Sequence, residues 1–470
     1  MPSRVLLISA NRCTTPDPVF PLGLACLNAA LRRAGHQTAW LDRLVNTDRL
    51  AETLERFRPD FVGISLRNID DVLIRQQEVF FDELVSLKTT IRRHTTAPVI
   101  LGGSGFSIFP EQLLELTAAD FGIAGEGERA LPELIEVLTQ GGDLGRVPGL
   151  VYRQDGKIRM NPPAPVPPDL ELTEADVPAE VAAHYLAASS TLNLQTQRGC
   201  HFLCCYCTYP LIEGRTHRRR PPDLVAADLE RLQRQGAKFA FIVDSVFNST
   251  PRHVTETCEA ILRRGVKLSW GCFLRPQGLT AELMDLMARA GLTHVEFGTD
   301  SFSDTALAAY QKHFTFEDVL ISSELARQRK VEYCHFLISG GPGETEATLE
   351  EGFQNSLRLR NTVIMAVVGM RIYPGTPLFN VAVAEGQISS EAELLTPAYY
   401  LAPGLTEQTV FARLQEFARR SPSWIVGDPV PGYLELIQRL RRRGVVGPLW
   451  SYLSTVQRLW QPPAPSAVSK

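Results

Sequence analysis

The chain has 470 residues, which is long enough for two or three domains rather than one. Its 44% hydrophobic and 21% charged residues are an ordinary globular mixture, and a formal net charge of −4 gives no reason to expect a nucleic-acid partner. No apolar run of about 18 or more residues is present, so the sequence predicts no membrane span, and we expect a cytoplasmic protein.

The first 140 residues alternate between short apolar runs and stretches with helical spacing. This alternation predicts an α/β fold with a parallel, doubly wound, Rossmann-like sheet that has helices on both faces. In such a sheet the ligand lies beyond the carboxyl ends of the strands. The predicted strands cover residues 5–10, 38–42, 61–66, 98–103 and 121–125, and the first predicted helix covers residues 21–34.

Residues 141–188 are predicted to form a hairpin, VYRQDGKIRM, followed by the proline-rich linker NPPAPVPPDLELTEADVP. Residues 189–380 resume the alternation, and their six strand–helix units fit a partial (β/α)6 barrel as well as an open sheet. Residues 381–470 have a mainly helical pattern and end in QPPAPSAVSK, which is predicted to be disordered. The six predicted strands cover 191–197, 239–246, 267–273, 294–300, 333–340 and 363–373, with helical segments at 223–235, 251–264, 280–290 and 316–329.

Three cysteines with the spacing Cys200-x3-Cys204-x2-Cys207 follow the first of these six strands. Such crowding indicates metal binding in a reducing compartment rather than a disulfide scaffold. Thiolates at this spacing can hold three corners of a [4Fe–4S] cluster and leave one iron open. A zinc site or buried thiols are the alternatives, but structural zinc sites usually have four ligands and no second cysteine pair is present. Cys205 is the obvious fourth candidate, and we expect it to point away.

The segment RGCHFLCCYC resembles the signature of the radical S-adenosylmethionine (radical SAM) superfamily, C-x3-C-x-aromatic-C, with Tyr206 in the aromatic position. The resemblance implies that Cys200, Cys204 and Cys207 hold the cluster and that its open iron binds S-adenosylmethionine (SAM). One electron from an external donor of the flavodoxin or ferredoxin type would then cleave SAM to a 5′-deoxyadenosyl radical. In the family the aromatic residue packs near the adenine.

Polar residues at successive predicted strand ends resemble the SAM-binding elements of the same superfamily. Asp244 and Ser245 resemble the position that contacts the methionine amino group. Asp300 and Ser301 stand where relatives usually have Gly-x-Glu-Ser, and the shorter acid leaves a bond to a ribose hydroxyl open. Each of these alone is equally well explained as turn chemistry, and their joint order along the chain argues for function. The remaining expected SAM contacts are Arg275, then Gly341 and Glu344 in a Gly-Pro-Gly-Glu-Thr turn, and Tyr373 and Pro374 in an adenine-side turn.

The first domain resembles the cobalamin-binding domain that is fused ahead of many radical SAM domains. The turn Gly102, Gly103, Ser104 follows the fourth predicted strand, and Gly125, Glu126, Gly127 follows the fifth. Neither lies in the first strand–helix turn with the Gly-x-Gly-x-x-Gly spacing of a dinucleotide site, so NAD is not indicated. The resemblance implies that the two turns hold the nucleotide tail and the edge of the corrin.

The residues below the cobalt are less clearly indicated. No Asp-x-His-x-x-Gly motif is present, so we expect no histidine under the cobalt. Arg67 or Asn68, after the third strand, would face the lower side of the corrin. A salt bridge from Arg67 to Asp70 or Asp71 is an equal alternative.

The pairing of these two domains implies C-methylation of an unactivated carbon in a small-molecule, acyl, lipid or natural-product substrate. A carbon without an acidic proton cannot be made a nucleophile near neutral pH, and a radical route avoids that requirement. A cobalamin-dependent radical cyclase or rearrangement enzyme without methyl transfer is the alternative enzyme. A zinc-stabilised binding protein is the alternative from another class.

Two further features have competing interpretations. Tyr310 and Cys334 are catalytic candidates near the radical, and a place in the core is the alternative for each. The basic run RTHRRR, at 215–220, is interpreted as a solvated loop, with a contact for an acidic substrate or a carrier protein as the alternative.

Overall fold

The computed structural model describes residues 2–14, 17–164, 170, 175–426 and 433–453. The predicted proline-rich linker lies partly outside the described residues, and the predicted disordered end lies wholly outside them. All nine cysteines are described, and none forms a disulfide. Within the described residues, no helix has the length and apolar character needed to cross a membrane. Contacts divide the chain into a first unit of Met1–Phe202, Cys207–Arg220 and Tyr373–Ala398, and a second unit of Leu203–Tyr206, Pro221–Ile372 and Tyr399–Lys470.

Short apolar runs form most of the strands, because a strand within a parallel sheet is covered on both faces. Val5, Leu6, Leu7 and Ile8 in the first strand are completely buried. The strands are β1 (Arg4–Ser9), β2 (Gln37–Asp42), β3 (Phe61–Ser65), β4 (Val99–Gly102), β5 (Phe121–Ile123), β6 (Leu150–Gln154), β7 (Lys157–Met160), β8 (Thr191–Leu194), β9 (Gln197–Arg198), β10 (Arg218–Arg219), β11 (Phe239–Ile242), β12 (Ser269–Leu274), β13 (Leu292–Asp300), β14 (Glu332–Ser339), β15 (Val363–Val368), β16 (Met370–Arg371), β17 (Tyr399–Tyr400) and β18 (Trp424–Val426).

Helices alternate with these strands, and threonine begins several of them. Thr250, Thr280, Thr315 and Thr345 each accept a hydrogen bond from a backbone N–H in the first helical turn, which satisfies a donor that has no partner within the helix. The helices are α1 (Leu22–Arg33), α2 (Leu50–Phe57), α3 (Leu84–His94), α4 (Ser104–Ile108), α5 (Pro110–Thr117), α6 (Gly127–Gln140), α7 (Ala179–Ser189), α8 (Tyr209–Ile212), α9 (Pro222–Arg234), α10 (Pro251–Arg264), α11 (Ala281–Arg289), α12 (Asp304–Ala309), α13 (Phe316–Gln328), α14 (Glu346–Ser356), α15 (Pro377–Ala384), α16 (Glu407–Arg420) and α17 (Tyr433–Arg442).

The first unit contains a sheet with the strand order β2-β1-β3-β4-β5-β6-β7. Strands β1 to β5 pair in parallel, as predicted, and β6 and β7 form the predicted antiparallel hairpin at one edge. The order reverses between β1 and β3, and in a doubly wound sheet the ligand crevice lies beyond the carboxyl ends of the strands at such a reversal. The loops that follow β1, β3, β4 and β5 therefore surround the expected ligand position.

The second unit contains strands β11, β12, β13, β14, β15 and β18, which lie side by side in that order and pair in parallel. Neighbours in sequence are neighbours in the sheet, and a helix follows each of β11 to β14, which is the arrangement of a partial β/α barrel. The carboxyl ends of these strands share one edge of the sheet. The predicted SAM contacts from Asp244 to Glu344 follow these ends.

Three parts of the chain differ from the predicted pattern. The predicted strand 191–197 is divided into β8 and β9, and the predicted strand 363–373 is divided into β15 and β16 at Gly369, whose φ is +78°. The C-terminal region, which was predicted to be mainly helical, contains α16 and α17 but also adds β18 to the sheet beside β15. A strand of three residues is too short to show a period, and its pairing with β15 decides its conformation.

Candidate active site

The turn after β4 is packed directly against the loop after β3. Gly103 has a φ of +97°, and a Cβ there would overlap the carbonyl oxygen of Leu66. A Cβ at Gly105 would lie 3.0 Å from the carbonyl carbon of Asn68, and Ser104 Oγ donates to the carbonyl of Arg67 at 2.7 Å. Glycine is required where a positive φ and a close backbone approach coincide. The predicted turn at residues 102–104 therefore presents its backbone at the surface of the loop that carries Arg67.

The turn after β5 is joined to this turn through one hydroxyl group. Ser107 Oγ donates to the carbonyl of Gly103 and accepts from the N–H of Gly125, both at 2.8 Å. Gly125 has a φ of +88°, and Gly127 is the first residue of α6. The structure therefore brings together the two glycine turns that the sequence singles out for one ligand.

Arg67 is exposed, yet the surrounding protein lowers the pKa of its guanidinium below the ordinary value by desolvation. Over the described residues Arg67 has no ion pair, so the alternative of a salt bridge to Asp70 or Asp71 is wrong. Those two carboxylates instead accept from the backbone N–H groups of Val72 and Leu73. Asn68, the neighbouring candidate, is half-buried.

The backbone before Cys200 is fixed by the loop at residues 213–216. Gly199 has a φ of +87°, and a Cβ there would overlap the carbonyl oxygen of Thr216. The N–H of Gly199 donates to Glu213 Oε2, and the N–H of Cys200 donates to the carbonyl of Gly214, both at 3.0 Å. Cys200 itself is buried, whereas Cys204 and Cys207 are half-buried.

The interpretation of 215–220 as a solvated loop is wrong for two of its arginines. Arg218 is buried and binds Glu126, and Arg220 is buried and donates to the carbonyl of Gln195. The same burial argues against a contact between these two arginines and an acidic substrate. Arg218 binds both carboxylate oxygens of Glu126, so the Gly125 turn would contact a ligand through its backbone rather than through this side chain.

A buried ion pair lies beside the aromatic residue of the cysteine motif. Lys312 Nζ lies 2.6 Å from Asp300 Oδ2, and the hydroxyl of Tyr206 donates to the same oxygen at 2.6 Å. The side chains of Lys312 and Asp300 are each only 5% exposed. Burial by itself would lower the pKa of Lys312, but the charges of Asp300 and Cys204, together with the hydrogen bond to Asp300, hold that pKa above its ordinary value. The lysine is therefore a fixed cation.

Backbone strain is concentrated around this ion pair. Asp300, Gln311 and His313 have φ values of +68°, +60° and +55°, a conformation that non-glycine residues rarely adopt. Such strain persists only where surrounding contacts impose it. The predicted contact Arg275 is also nearby, with its guanidinium 4.9 Å from the centre of the Phe314 ring. Nothing in the sequence singles out Lys312, because an isolated lysine carries no pattern.

Cys205 is held away from solvent by contacts within the second unit. It is 2% exposed, its N–H donates to the carbonyl of Tyr310 at 3.0 Å, and its Sγ lies 4.0 Å from Met370 Sδ. Burial raises the pKa of its thiol to about 12. A thiol that resists ionisation and packs against methionine suits the expectation that Cys205 is not a ligand.

The Gly-Pro-Gly-Glu-Thr turn is built around Tyr310. The tyrosine hydroxyl donates to the carbonyl of Ile338 at 2.9 Å and accepts from the N–H of Gly341 at 3.0 Å. A Cβ on Gly341 would overlap the tyrosine ring. Glu344 accepts from the N–H of Gly340, and burial raises the pKa of this carboxyl to about 7. Thr345, which ends the turn, begins α14.

The two predicted catalytic candidates both lie in the core. Tyr310 is completely buried and supports the turn described above. Cys334 is completely buried among Val363, Leu449 and Trp450, and burial raises the pKa of its thiol. These positions favour the core interpretation of both residues.

The other predicted SAM contacts divide between the units. Asp244 and Ser301 are buried and Ser245 is half-buried, and all three follow strand ends in the second unit. Tyr373, with Pro374 after it, belongs to the first unit, where its ring lies 6.3 Å from that of Phe109.

The donor chemistry of the cysteine loop suits an iron–sulfur cluster. Over the described ranges, no three His, Cys, Asp or Glu side chains surround a point as they would a single metal ion. A cubane cluster instead takes each thiolate on a separate iron. The loop supplies three thiols for that purpose, and its remaining cysteine, Cys205, is buried in the core.

Comparison with known proteins agrees with both halves of this arrangement. Residues 9–135 match the B12 binding domain, and residues 194–354 match the Radical SAM superfamily. Tryptophan 2-C-methyltransferase of Streptomyces laurentii is 26% identical over 445 residues, which span 79% of this chain and 73% of that enzyme. An anaerobic magnesium-protoporphyrin IX monomethyl ester cyclase of Rubrivivax gelatinosus is 25% identical over 71% of this chain and 56% of its own length.

The chain is also similar to a solved structure over most of its length. The radical SAM methyltransferase TsrM of Kitasatospora setae, solved with cobalamin and a [4Fe–4S] cluster bound, matches with a TM-score of 0.86 at 25% identity. The match covers 98% of this chain and 99% of TsrM. A second structure of TsrM, with its tryptophan substrate and a SAM analogue bound, matches with the same TM-score.

Lys312→Met should destabilise the protein by about 3–5 kcal/mol, because it leaves Asp300 charged and buried without its cation. Lys312→Met combined with Asp300→Asn should recover much of that loss. Urea unfolding of the two single variants and the double variant measures the coupling. Arg252→Met, which removes an exposed partner of Glu256 in α10, is the control and should cost nothing measurable. A Lys312→Met variant as stable as the wild type would contradict the described ion pair.

Proposed function

We propose that this chain, which unites a B12-binding domain with a radical SAM domain and is homologous to cobalamin-dependent radical SAM methyltransferases such as TsrM, methylates an unactivated carbon of its substrate. It is an enzyme, and its cofactors are a [4Fe–4S] cluster, SAM and cobalamin. The observation that carries the proposal is the similarity to TsrM over 98% of the chain. The substrate class is a small molecule, an acyl chain, a lipid or a natural product.

The chain's own residues have the chemistry that these cofactors need. When bound, the cofactors supply a radical and a methyl group, which acid–base side chains cannot deliver to an unactivated carbon. Cys200, Cys204 and Cys207 are the proposed cluster ligands, and Cys205 is left out because its thiol is buried and hard to ionise. Tyr206 is the proposed adenine neighbour, and its hydroxyl is anchored by Asp300.

The proposed SAM contacts lie at the strand ends of the second unit, on Asp244, Ser245, Arg275, Ser301 and the Gly341–Glu344 turn. The turn offers backbone groups, because the carboxyl of Glu344 is buried and held by the N–H of Gly340. Burial of Asp244 and Ser301 keeps their polar groups fixed in direction. Tyr373 and Pro374 remain proposed adenine-side contacts.

The proposed cobalamin contacts are the backbone turns at Gly102–Ser104 and Gly125–Gly127, with Arg67 and Asn68 on the lower face. The overlap that a Cβ at Gly103 would create supports a site where backbone, not side chains, meets the ligand. Arg67 is exposed, desolvated and without an ion pair over the described residues, which suits a cation facing a large bound molecule. A guanidinium has no acceptor lone pair, so it cannot act as a metal ligand.

The proposed partners follow from the same chemistry. An external one-electron donor of the flavodoxin or ferredoxin type is required to reduce the cluster. Nine cysteines without a disulfide suit a reducing compartment such as the cytoplasm. A carrier protein has weaker support than the sequence indicated, because Arg218 and Arg220 are buried. A zinc-stabilised binding protein is set aside, since the homology is to enzymes.

Methyl transfer can be tested without knowing the substrate. Cells that express the gene and grow on methyl-deuterated methionine should contain a new metabolite that carries the intact deuterated methyl group, because cells make SAM from methionine. Untargeted mass spectrometry compares them with cells that express the Cys204→Ala variant. The alternative is a radical cyclase or rearrangement enzyme, and one relative that is named as a cyclase supports it. A new metabolite without deuterium would contradict methylation and support that alternative.

The ligand assignment distinguishes two adjacent cysteines. Cys205→Ala should retain the iron content and brown colour of the wild type after anaerobic reconstitution, because its thiol only packs against Met370. Cys204→Ala should lose the cluster and form no 5′-deoxyadenosine from SAM. If the two variants had the same iron content and the same cleavage activity, the assignment would be wrong.

A further inference from the structure

A network of buried charges in the first unit begins at the Gly125–Gly127 turn. Arg218 binds both carboxylate oxygens of Glu126, with Nη1 3.0 Å from Oε2. Arg198 lies between two carboxylates, 2.6 Å from Glu128 and 3.5 Å from Glu126. The side chains of Arg198 and Arg218 are only 8% and 3% exposed. Two guanidinium groups therefore clamp the residues that flank Gly127.

The same network continues to the backbone of Cys200. Arg218 Nη2 donates to the carbonyl of Glu213 at 3.1 Å. The carboxylate of Glu213 accepts from the N–H of Gly199, and the next carbonyl, of Gly214, accepts from the N–H of Cys200. Arg198 itself is the last residue of β9, two positions before Cys200. An unbroken series of contacts thus joins the Gly125 turn to the first cysteine of the motif.

The network is charged although it is buried. Burial opposes ionisation of Glu126, but the hydrogen bond from Arg218 and the charges of Arg198 and Arg218 hold its pKa below the ordinary value. Buried ion pairs are often no more stabilising than packed apolar side chains, so stability alone does not account for them. What an arginine fork adds is a fixed direction, because its donors are rigid and planar and bind carboxylates at two points.

We infer that Arg198 and Arg218 are positioning residues that couple the cobalamin turn to the cluster loop, so that ordering either one orders the other. The inference rests on the proposed function, which assigns the Gly125–Gly127 turn to cobalamin and Cys200 to the cluster. Neither arginine contacts a cofactor in this account. Each acts through the carboxylates and backbone groups that it holds.

Coupling of this kind is reciprocal and measurable. If the cluster orders the loop at Cys200, it preorders the Gly125 turn, and cobalamin binds more tightly to the cluster-loaded protein. Bound cobalamin must then raise the affinity of the protein for the cluster by the same factor. Couplings between sites in one protein typically change affinity about 5-fold to 150-fold.

The test is a titration of the full-length protein with hydroxocobalamin, followed by absorbance, with the cluster present or removed anaerobically. In the wild type, loss of the cluster should raise the Kd by about 5-fold or more. In Arg218→Lys and Arg198→Lys, which keep the charge but not the planar fork, the ratio of the two Kd values should fall to about one. Glu126→Gln, an isosteric change at the other end of the network, should do the same.

Arg153→Lys is the matched control, because Arg153 is 36% exposed and binds Glu115 and the carbonyl of Leu114 in the same unit, which are not part of the network. It should keep the wild-type ratio. A second readout is the electron paramagnetic resonance spectrum of the reduced cluster, which should change on cobalamin binding in the wild type but not in Arg218→Lys. Iron content and thermal midpoints identify a variant that has simply failed to fold.

Two results would overturn the inference: a wild-type Kd ratio of about one, or an undiminished ratio in all three network variants. Both leave the proposed function standing, since cobalamin still binds. A wild-type protein that binds no cobalamin with or without the cluster would instead contradict the proposed function itself.

Discussion

Parallel strands present all their carboxyl ends at one edge of a sheet, and both units of this protein carry their candidate ligand residues at such an edge. In the first unit the turns after β4 and β5 meet through Ser107 beside the loop after β3. In the second unit the polar residues from Asp244 to Glu344 follow β11 to β14 in turn. The strand pairing thus fixes where a ligand can bind, and the turns determine which groups it meets.

Buried charge is the second organising feature. It lies at the end of β13 in one unit and beside the turn after β5 in the other. The Lys312–Asp300 pair holds Tyr206 of the cysteine motif, and the arginine network holds the backbone before Cys200. Both lie where backbone dihedrals are unusual, at Asp300, Gln311 and His313 in one case and at Gly199 in the other. Buried ion pairs add little net stability but specify geometry, which is what a loop that must present three thiols requires.

The periodic parts of the sequence predicted the fold well. β1 to β5, the hairpin and β11 to β15 all appear where apolar runs indicated strands, because burial of those runs dominates their conformation. The glycine turns were found for a similar local reason, since only glycine tolerates the positive φ at Gly103 and Gly125. β18 was missed, because three residues show no period.

The residues that sequence reasoning missed have partners that the local sequence pattern does not reveal. Lys312 meets Asp300 only because a strained connection returns it to the end of β13, and Arg218 meets Glu126 from 92 residues away. The basic segment RTHRRR normally indicates a solvated loop, and nothing local shows that Glu126 binds Arg218 or that the carbonyl of Gln195 binds Arg220 in the interior. Cys334 and Tyr310 are both completely buried, which favours the core alternative that the sequence left open for each.

The most direct test of the central claim is a metal analysis of the full-length chain after anaerobic reconstitution with iron, sulfide and hydroxocobalamin. We expect about four iron atoms and one cobalt atom per chain, with the absorption of both an iron–sulfur cluster and a corrin. A colourless protein that held one zinc ion and neither iron nor cobalt would contradict it.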